Sequence, residues 1–383
     1  MEDKQNTKII KTLSAGHFVT DAYSGFVNPI MPFIAANIGI SMTVATILIS
    51  VSNLTSSMSQ PFFGFIADKW QRRFFIFWGM MMASIFLSFL GIAHNIYTLT
   101  IFLLLGHMGV AFFHPQATSL VGNYCDNKSK EMSWFIALGT FGFSLGPAIS
   151  SGIASIWGMD KLPYACIFGI LFAFFMLKTV PKITEVHIEK PKVSIISALK
   201  MMFSNKPVAV LVLASIVKSF VVSSFNIILP FYWKGIGFSL SKIGIILFIF
   251  MLAGALGVMT SPYVERKIGI RKVFYLSLIP VTVLGIFFYI SKGEGILGLI
   301  SFILIGYVSF LAVPVNMALA QKLMPEFKSM IAGFIGGFSW GVIGLVLPFI
   351  SHIAQIIGII NILLVVIFIP LIFSYFIKYL PEK

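Results

Sequence analysis

The sequence predicts an all-α integral membrane protein whose twelve membrane-spanning helices form two pseudo-symmetric six-helix bundles. Three observations predict this fold class: the composition, the number of long apolar stretches, and an internal repeat. Of the 383 residues, 58% are hydrophobic and only 10% are charged, and the mean hydropathy is +0.97. Soluble domains carry about 25% charged residues, so the composition excludes a soluble protein.

Twelve apolar stretches come close to or exceed the roughly 20 residues that a helix needs to span a bilayer. The polar segment before the first stretch is interpreted as a cytoplasmic tail leading into a retained span, because no small-residue cleavage site follows. The twelve predicted spans run near residues 11–36, 42–67, 74–92, 97–121, 132–156, 163–180, 207–232, 243–263, 273–291, 295–320, 330–352 and 357–377.

The formal net charge of +14 is distributed very unevenly. With the N-terminus in the cytoplasm, 22 of the 27 Lys and Arg residues fall in cytoplasmic segments. The exceptions are Lys161, Lys234, Lys242 and Lys292 in exterior loops, and Lys218 within a span. This positive-inside bias predicts a multi-pass protein with both termini cytoplasmic. The basic excess faces the membrane surface, so no nucleic-acid partner is expected.

The longest polar interruption separates six spans from six spans. Residues 178–207 contain prolines, six lysines and two glutamates, and they are interpreted as a cytoplasmic linker. The sequence therefore predicts an N-terminal bundle over residues 1–180, a linker over 181–206 and a C-terminal bundle over 207–383.

The two halves repeat each other at an offset of 198 positions. This offset places "FVNPIMPF" (26–33) over "SFNIILPF" (224–231), so that Asn28 meets Asn226. Parallel repeats related by an axis along the membrane normal are a transporter architecture, with the substrate site near the membrane midplane. The repeat therefore predicts a transporter.

The first span carries polar residues that a helix surrounded only by lipid would not contain. His17 and Asp21 are four residues apart, and Ser24 and Asn28 continue the same helix face. A charge at the bilayer centre costs on the order of 2.5–3.5 kcal/mol, so this face is predicted to line a wet cavity. Tyr23 lies near the stripe and is predicted to contact substrate.

Lys218 lies near midplane in helix 7, one position from the repeat equivalent of Asp21. Two interpretations stay open: a static Asp21–Lys218 ion pair that holds the halves together, or opposite charges presented to one shared cavity. The presence of His17 favours the second, because a static pair needs no titratable neighbour. The candidate substrate-binding residues are Lys218, His107, Asn28, Asn226, Tyr23 and Ser24.

The fourth span contains "GHMGVAFFHPQATSL" (106–120). His107 and His114 are seven residues apart and share a helix face. Depth in the membrane predicts that His107 lies level with Asp21 and His114 level with His17. Asp21, His17 and His114 are the candidate proton-coupling residues.

The loop between helices 2 and 3 reads "GFIADKWQRR" (64–73). It resembles the loop signature of the major facilitator superfamily at Gly64, Asp68, Arg72 and Arg73, although Gln71 replaces the usual glycine. The resemblance implies a conformational latch in which the aspartate pairs with arginines in one state only. Positive-inside topology alone is the alternative.

Helix 5 contains "GFSLGPAISSG" (142–152). Gly142, Gly146 and Pro147 resemble the antiporter signature of the same superfamily, which implies a second part of the conformational latch. Close helix packing is the alternative, since small residues one turn apart let backbones approach.

Residues 16–32, residues 109–117 and residues 217–232 together resemble the fosmidomycin-resistance branch of that superfamily. Helix 4 has Leu103 where drug-antiporter relatives commonly have arginine. The resemblance implies proton-driven efflux of a small, anionic or amphiphilic compound such as an antibiotic. It also implies a location in the inner membrane of a prokaryote and a monomeric protein surrounded by lipid. No cofactor is expected, because the proton gradient supplies the energy.

Three other functions are alternatives to proton-driven efflux. A proton symporter that imports a small solute would have the same fold, and only the helix 5 signature and the family likeness favour export. A divalent-metal exporter is the less favoured alternative, because His17, Asp21, His107 and His114 supply nitrogen and oxygen ligands. No familiar nucleophile or metal motif of an enzyme occurs, so the protein is not expected to be an enzyme.

Overall fold

The structure is a computed structural model that describes residues 2–69, 72–124, 128–181, 200, 204–324, 331 and 334–382. Helices dominate these ranges. The first half contains α1 (Glu2–Ser24), α2 (Val27–Ile38), α3 (Met42–Lys69), α4 (Arg72–Phe89), α5 (Ile96–Tyr124), α6 (Lys128–Trp157) and α7 (Cys166–Thr179), with short 3-10 segments at Leu90–Ile92 and Met159–Ala165.

The second half contains helices of similar length and further short irregular turns. They are α8 (Lys206–Ser223), α9 (Leu229–Gly235), α10 (Leu240–Ile268), α11 (Ile270–Ile290), α12 (Gly295–Leu311), α13 (Val313–Leu323), α14 (Ser339–Ile357) and α15 (Ile359–Ser374), with π-helical turns at Ser224–Ile228 and Phe334–Phe338 and a 3-10 segment at Tyr375–Tyr379.

Ten helical segments in the described part of the chain are long and apolar enough to cross a membrane. The other two predicted spans also coincide with helices. The span predicted at 11–36 is formed by α1 and α2, and the span predicted at 42–67 lies within α3.

The chain divides into two compact units. The first comprises residues 1–187 and 233–248, and the second comprises residues 188–232 and 249–383. The start of α10 thus packs with the first unit, where Gly244 contacts Ser151 and the carbonyl of Pro147. Most of the predicted linker, 181–206, lies outside the described residues.

The first span of each half has an irregular turn at nearly the same position of the repeat. In the first half, α1 ends at Ser24 and α2 begins at Val27, with the N–H of Phe26 bonded to the carbonyl of Tyr23. In the second half, the π-helical turn Ser224–Ile228 separates α8 from α9. π-Turns inside helices occur frequently at functional sites.

Glycines of α6 let the backbone of α1 approach closely. A Cβ at Gly142 would collide with the carbonyl of Phe18, and a Cβ at Gly146 would collide with the carbonyl of Ala22. This is the packing role that the sequence left as the alternative for the helix 5 motif, which includes Pro147. The contact fixes the height of α1 against α6.

The loop motif is only partly visible. The side chains of Gly64, Asp68 and Arg72 lie outside the described part of the structure. The guanidinium carbon of Arg73 lies 5.6 Å from the ring centroid of the neighbouring Phe74. The latch at this loop therefore stays a prediction.

Replacing Gly142 with Ala is expected to lower the midpoint of thermal unfolding in detergent. The added Cβ has to displace the α1 backbone at Phe18, and overpacking of this kind costs about 1–3 kcal/mol. Gly152→Ala, also in α6, is the matched control because nothing lies within 4 Å of its added Cβ. An equal unfolding midpoint for the two variants would contradict the close α1–α6 contact.

Candidate functional site

The candidate site is built on the polar face of α1. His17 and Asp21 are one helical turn apart, and the imidazole Nε2 lies 3.2 Å from the carboxylate Oδ2. Side chains at this spacing face each other on a helix, so the contact follows from the sequence.

Helix α5 adds the third member. His114 Nε2 lies 2.8 Å from the other carboxylate oxygen, Oδ1 of Asp21, and the two imidazole ring centroids are 4.9 Å apart. We call His17, Asp21 and His114 the His–Asp–His triad. The structure thus brings together the three predicted proton-coupling residues.

Helix α6 holds the ring of His17 from the other side. The Nδ1 of His17 lies 2.9 Å from the carbonyl oxygen of Phe135, and the Phe135 ring stacks on the imidazole at 4.2 Å between centroids. Gly139 leaves room for this ring, since a Cβ there would overlap the imidazole. Sequence reasoning missed both residues, although Gly139 extends the glycine spacing of Gly142 and Gly146.

The bond to Phe135 determines the protonation of His17. A carbonyl oxygen only accepts hydrogen bonds, so Nδ1 must donate. Neutral His17 then has a lone pair on Nε2, which faces the Asp21 carboxylate at 3.2 Å. Two facing acceptors repel each other, and a proton carried by either group would make this contact attractive.

The triad is partly accessible. The side chains of His17, Asp21 and His114 keep 12%, 15% and 24% of their surface exposed. With the additional proton the triad is electrically neutral, and without it the carboxylate charge is uncompensated. Taking a charge out of water is costly unless it is paired, so a proton bound to the triad would remove this cost.

His107 is not part of the triad, contrary to the expected match in depth with Asp21. It is buried, and its Nδ1 donates to the carbonyl of Leu103 in its own helix at 2.9 Å. Seven residues correspond to about 10.5 Å along a helix, and the structure places His114, rather than His107, at the level of Asp21. The predicted height of His107 was wrong by about two turns, whereas His114 does lie beside His17, with their ring centroids 4.9 Å apart.

Two of the predicted substrate-binding residues, Tyr23 and Ser24, bond to backbone groups instead. Tyr23 is buried, donates to the carbonyl of Ala165 at 2.6 Å, and accepts from the N–H of Gly169 at 3.0 Å. Ser24 lies 3.5 Å from the carbonyl of Thr20. These contacts anchor α1 to the segment that begins α7, and they give Tyr23 a structural role.

The two asparagines related by the repeat differ in environment. Asn28 lies in α2, beyond the break that follows α1. The prediction that Asn28 shares a helix face with Asp21 assumed an uninterrupted helix and therefore does not apply. Asn226 is buried within the π-helical turn and donates to the carbonyl of Val222 at 3.1 Å. Neither residue extends the triad.

Lys218 occupies a site of its own in the second unit. Its ammonium nitrogen lies 4.8 Å from the ring centroid of Trp340 and 5.4 Å from that of Phe310, distances typical of cation–π contacts. These side chains line a cavity of about 210 Å³. Within the first unit, the recorded partners of the Asp21 carboxylate are His17 and His114, so the predicted Asp21–Lys218 pair stays a prediction.

Long apolar helices, a two-half repeat and a partly accessible acid–imidazole cluster define a multi-pass membrane transporter. The sequence profile of the Major Facilitator Superfamily matches residues 13–348. The chain belongs to this superfamily, and the predicted fold class is confirmed. It is a transporter rather than an enzyme, as the sequence predicted.

Individual relatives agree with this assignment. The chain is 25% identical over 345 residues to the fosmidomycin resistance protein of Escherichia coli K12, covering 88% of this chain and 84% of the relative. It is also 25% identical to the sialic acid transporter NanX of the same organism, covering 71% and 69% respectively. A crystal structure of the nucleoside transporter NupG superposes with a TM-score of 0.74 at 15% identity, covering 98% of this chain and all of that one.

Replacing Tyr23 with Phe is expected to reduce stability and leave substrate affinity unchanged. The change removes one hydroxyl that serves a buried carbonyl and a buried N–H, which costs about 1–3 kcal/mol. The check is the thermal unfolding midpoint together with KM for transport. Tyr97→Phe is the control, because Tyr97 is 77% exposed. A raised KM with an unchanged midpoint in Tyr23→Phe would instead show that Tyr23 contacts the substrate.

Proposed function

We propose that this protein is a proton-coupled antiporter that exports a small anionic or amphiphilic compound across a bacterial inner membrane, with both termini in the cytoplasm. The observation that carries the proposal is the partly accessible cluster of one carboxylate and two imidazoles, in which Asp21 lies 3.2 Å from His17 and 2.8 Å from His114.

The proposed cycle uses the two charge states of the triad. A proton from the exterior binds between His17 and Asp21 and neutralises the carboxylate. Release to the cytoplasm restores the carboxylate charge, which the partly buried position disfavours. The charged triad is more stable in a conformation in which water reaches it, and the neutral triad is better suited to a conformation that excludes water. Binding or release of the proton therefore shifts the balance between the two conformations.

The proton gradient supplies enough energy for accumulation outside. One elementary charge moving across 100 mV releases about 2.3 kcal/mol, which corresponds to roughly a fifty-fold concentration ratio. No nucleotide or other cofactor is required in this scheme.

The substrate class follows from Lys218 and from the names of the relatives. A cation between two aromatic rings favours an anion that has an apolar part. One relative is named for resistance to fosmidomycin, which agrees with export, and another for transport of sialic acid, which agrees with an acidic substrate.

Replacing Asp21 with Asn is expected to abolish proton-driven efflux while the fold is retained. The amide can donate to His17 Nε2 and accept from His114 without an additional proton, so the site stays bonded but has nothing to release. Efflux from proteoliposomes with an imposed pH gradient should fall to the level of empty liposomes.

Substrate–substrate exchange without a gradient is the control, and it should survive in the Asn variant because binding and the conformational change remain. Proton-dependent efflux by Asp21→Asn at the wild-type rate would rule out the triad as the proton site.

Import by proton symport is the main alternative. In inside-out vesicles acidified inside, an antiporter accumulates substrate as protons leave, whereas a symporter loses it. The sign of substrate movement under this single gradient separates the two functions.

A divalent cation is a second alternative occupant. The nitrogen and oxygen atoms of the triad all lie within 4.8 Å of one another, a spacing compatible with one ion. Saturable binding of Mn²⁺ or Zn²⁺ to the purified protein, lost in His17→Gln, would favour metal export over proton coupling.

A further inference from the structure

A surface groove of about 560 Å³ lies between α1 and α7, and the proposed function makes no use of it. We call it the α1–α7 groove, and all of its walls belong to the first unit. The two helices are packed against each other beside it, since a Cβ at Gly16 would collide with the thioether of Met176. The residues that line the groove include Lys8, Lys11, Thr12 and Ala15 of α1 and Phe172 and Phe175 of α7.

The α1 side of the groove is a basic helix face. Lys8 and Lys11 are three residues apart, so their side chains lie on the same face of α1, and both are exposed. Among the described side chains, which exclude those of residues 1–5, no carboxylate lies within ion-pair distance of either lysine. Like charges one turn apart on a helix repel each other. An anion between the two ammonium groups would replace this repulsion with attraction.

Other basic side chains at predicted cytoplasmic helix ends have partners within the chain. Arg271 pairs with Glu382 at 2.8 Å, and the ammonium nitrogen of Lys267 lies 4.5 Å from the ring centroid of Tyr263. Within the described structure, the two lysines of the groove make neither kind of contact. Their charges are therefore available to a ligand.

The α7 side of the groove is aromatic. The ring centroids of Phe172 and Phe175 are 5.5 Å apart, and Phe175 keeps 48% of its surface exposed. The hydroxyl of Thr12 already donates to the carbonyl of Lys8 at 2.9 Å. The groove thus offers a ligand two cations on one side and an apolar wall on the other.

The cations and the rings lie at the depths of the two parts of a phospholipid. Lys8 precedes the first predicted span and Lys11 begins it, and lysine side chains extend their ammonium groups to the membrane surface. Phe175 lies four residues, or about 6 Å, inside the end of α7 at Thr179. A lipid phosphate at the surface would meet the lysines, and the acyl chain below it would meet the rings.

We propose that the α1–α7 groove binds an anionic phospholipid of the surrounding bilayer, with the phosphate between Lys8 and Lys11 and an acyl chain along Phe172 and Phe175. Basic pockets between membrane-spanning helices on the cytoplasmic side bind acidic lipid head groups, and the positive-inside bias predicts that this end of α1 is cytoplasmic. A soluble phosphate would use the lysines alone, whereas a lipid uses both walls of the groove.

Native mass spectrometry of the delipidated full-length protein in detergent tests this assignment. The two probes are phosphatidylglycerol and phosphatidylcholine with the same acyl chains, so that they differ in the net charge of the head group. A lysine near an anionic lipid contributes roughly a five-fold preference. The wild type should therefore bind phosphatidylglycerol roughly twenty-five-fold more tightly than phosphatidylcholine.

Each single variant, Lys8→Gln and Lys11→Gln, should lower this preference roughly five-fold, and the double variant should bind the two lipids about equally. The charge-matched control is Lys267→Gln, which removes an exposed lysine outside the groove and should keep the wild-type preference.

The aromatic wall is tested separately from the charges. Phe175→Ala should weaken binding of both lipids by roughly three-fold or more, because apolar contact with the chains is lost, and should leave the preference between them unchanged. Phe174→Ala is the matched control, because Phe174 is 49% exposed in the same helix and packs on Phe77 at 5.2 Å between centroids. Every substituted side chain is exposed, so all variants are expected to fold.

Equal binding of the two lipids by the wild type, an equal loss of preference in Lys267→Gln and in Lys8→Gln, or unchanged affinities in Phe175→Ala would each overturn the assignment. Displacement of phosphatidylglycerol by inorganic phosphate at low millimolar concentration would assign the groove to a soluble anion and would overturn it as well. The measurement uses no substrate and no gradient, so these outcomes leave the proposed antiport untouched.

Discussion

One hydrogen bond determines the chemistry of the first unit: the one that His17 donates through Nδ1 to the backbone carbonyl of Phe135. It leaves the other imidazole nitrogen as an acceptor aimed at Asp21, and a carboxylate in that position cannot supply the missing hydrogen unless it is itself protonated. A proton bound here would relieve the contact between two acceptors that the packing of α1 against α6 holds in place. The glycines of α6 make this packing possible, because bulkier residues would hold the two backbones apart.

Because α1 packs against α6, a proton on the triad affects more than the contact between His17 and Asp21. With the proton, the triad is neutral and suits a partly buried position; without it, the carboxylate charge of Asp21 depends on the hydrogen bond from His114 and on water. Because His114 comes from α5 and Phe135 from α6, the contacts of the triad connect three helices. Under the proposed function, a proton bound there would act on all three helices at once.

The sequence predicted the fold class, the helix positions and the contact between His17 and Asp21, since these follow from apolar length and from one helical turn. It could not predict the carbonyl of Phe135, because every residue has a carbonyl and no side-chain pattern marks the one that is used. It placed His107 wrongly because the relative height of two helices is set by side-chain packing. Asn28 left the stripe because α1 breaks after Ser24, and glycine at position 25 was the available signal.

The repeat duplicates the scaffold but not the chemistry. In the first unit the interrupted span has an acid paired with two imidazoles, whereas in the second the corresponding span has Lys218 facing aromatic rings and hydroxyls. A proton and an anion bound at these two places contact different side chains, so neither displaces the other from shared atoms. Coupling between them then has to pass through states of the protein that differ in affinity for both, which is the thermodynamic condition for linked transport. Under the proposed function, the divergence of the two halves assigns the proton to the first unit and the anion to the second.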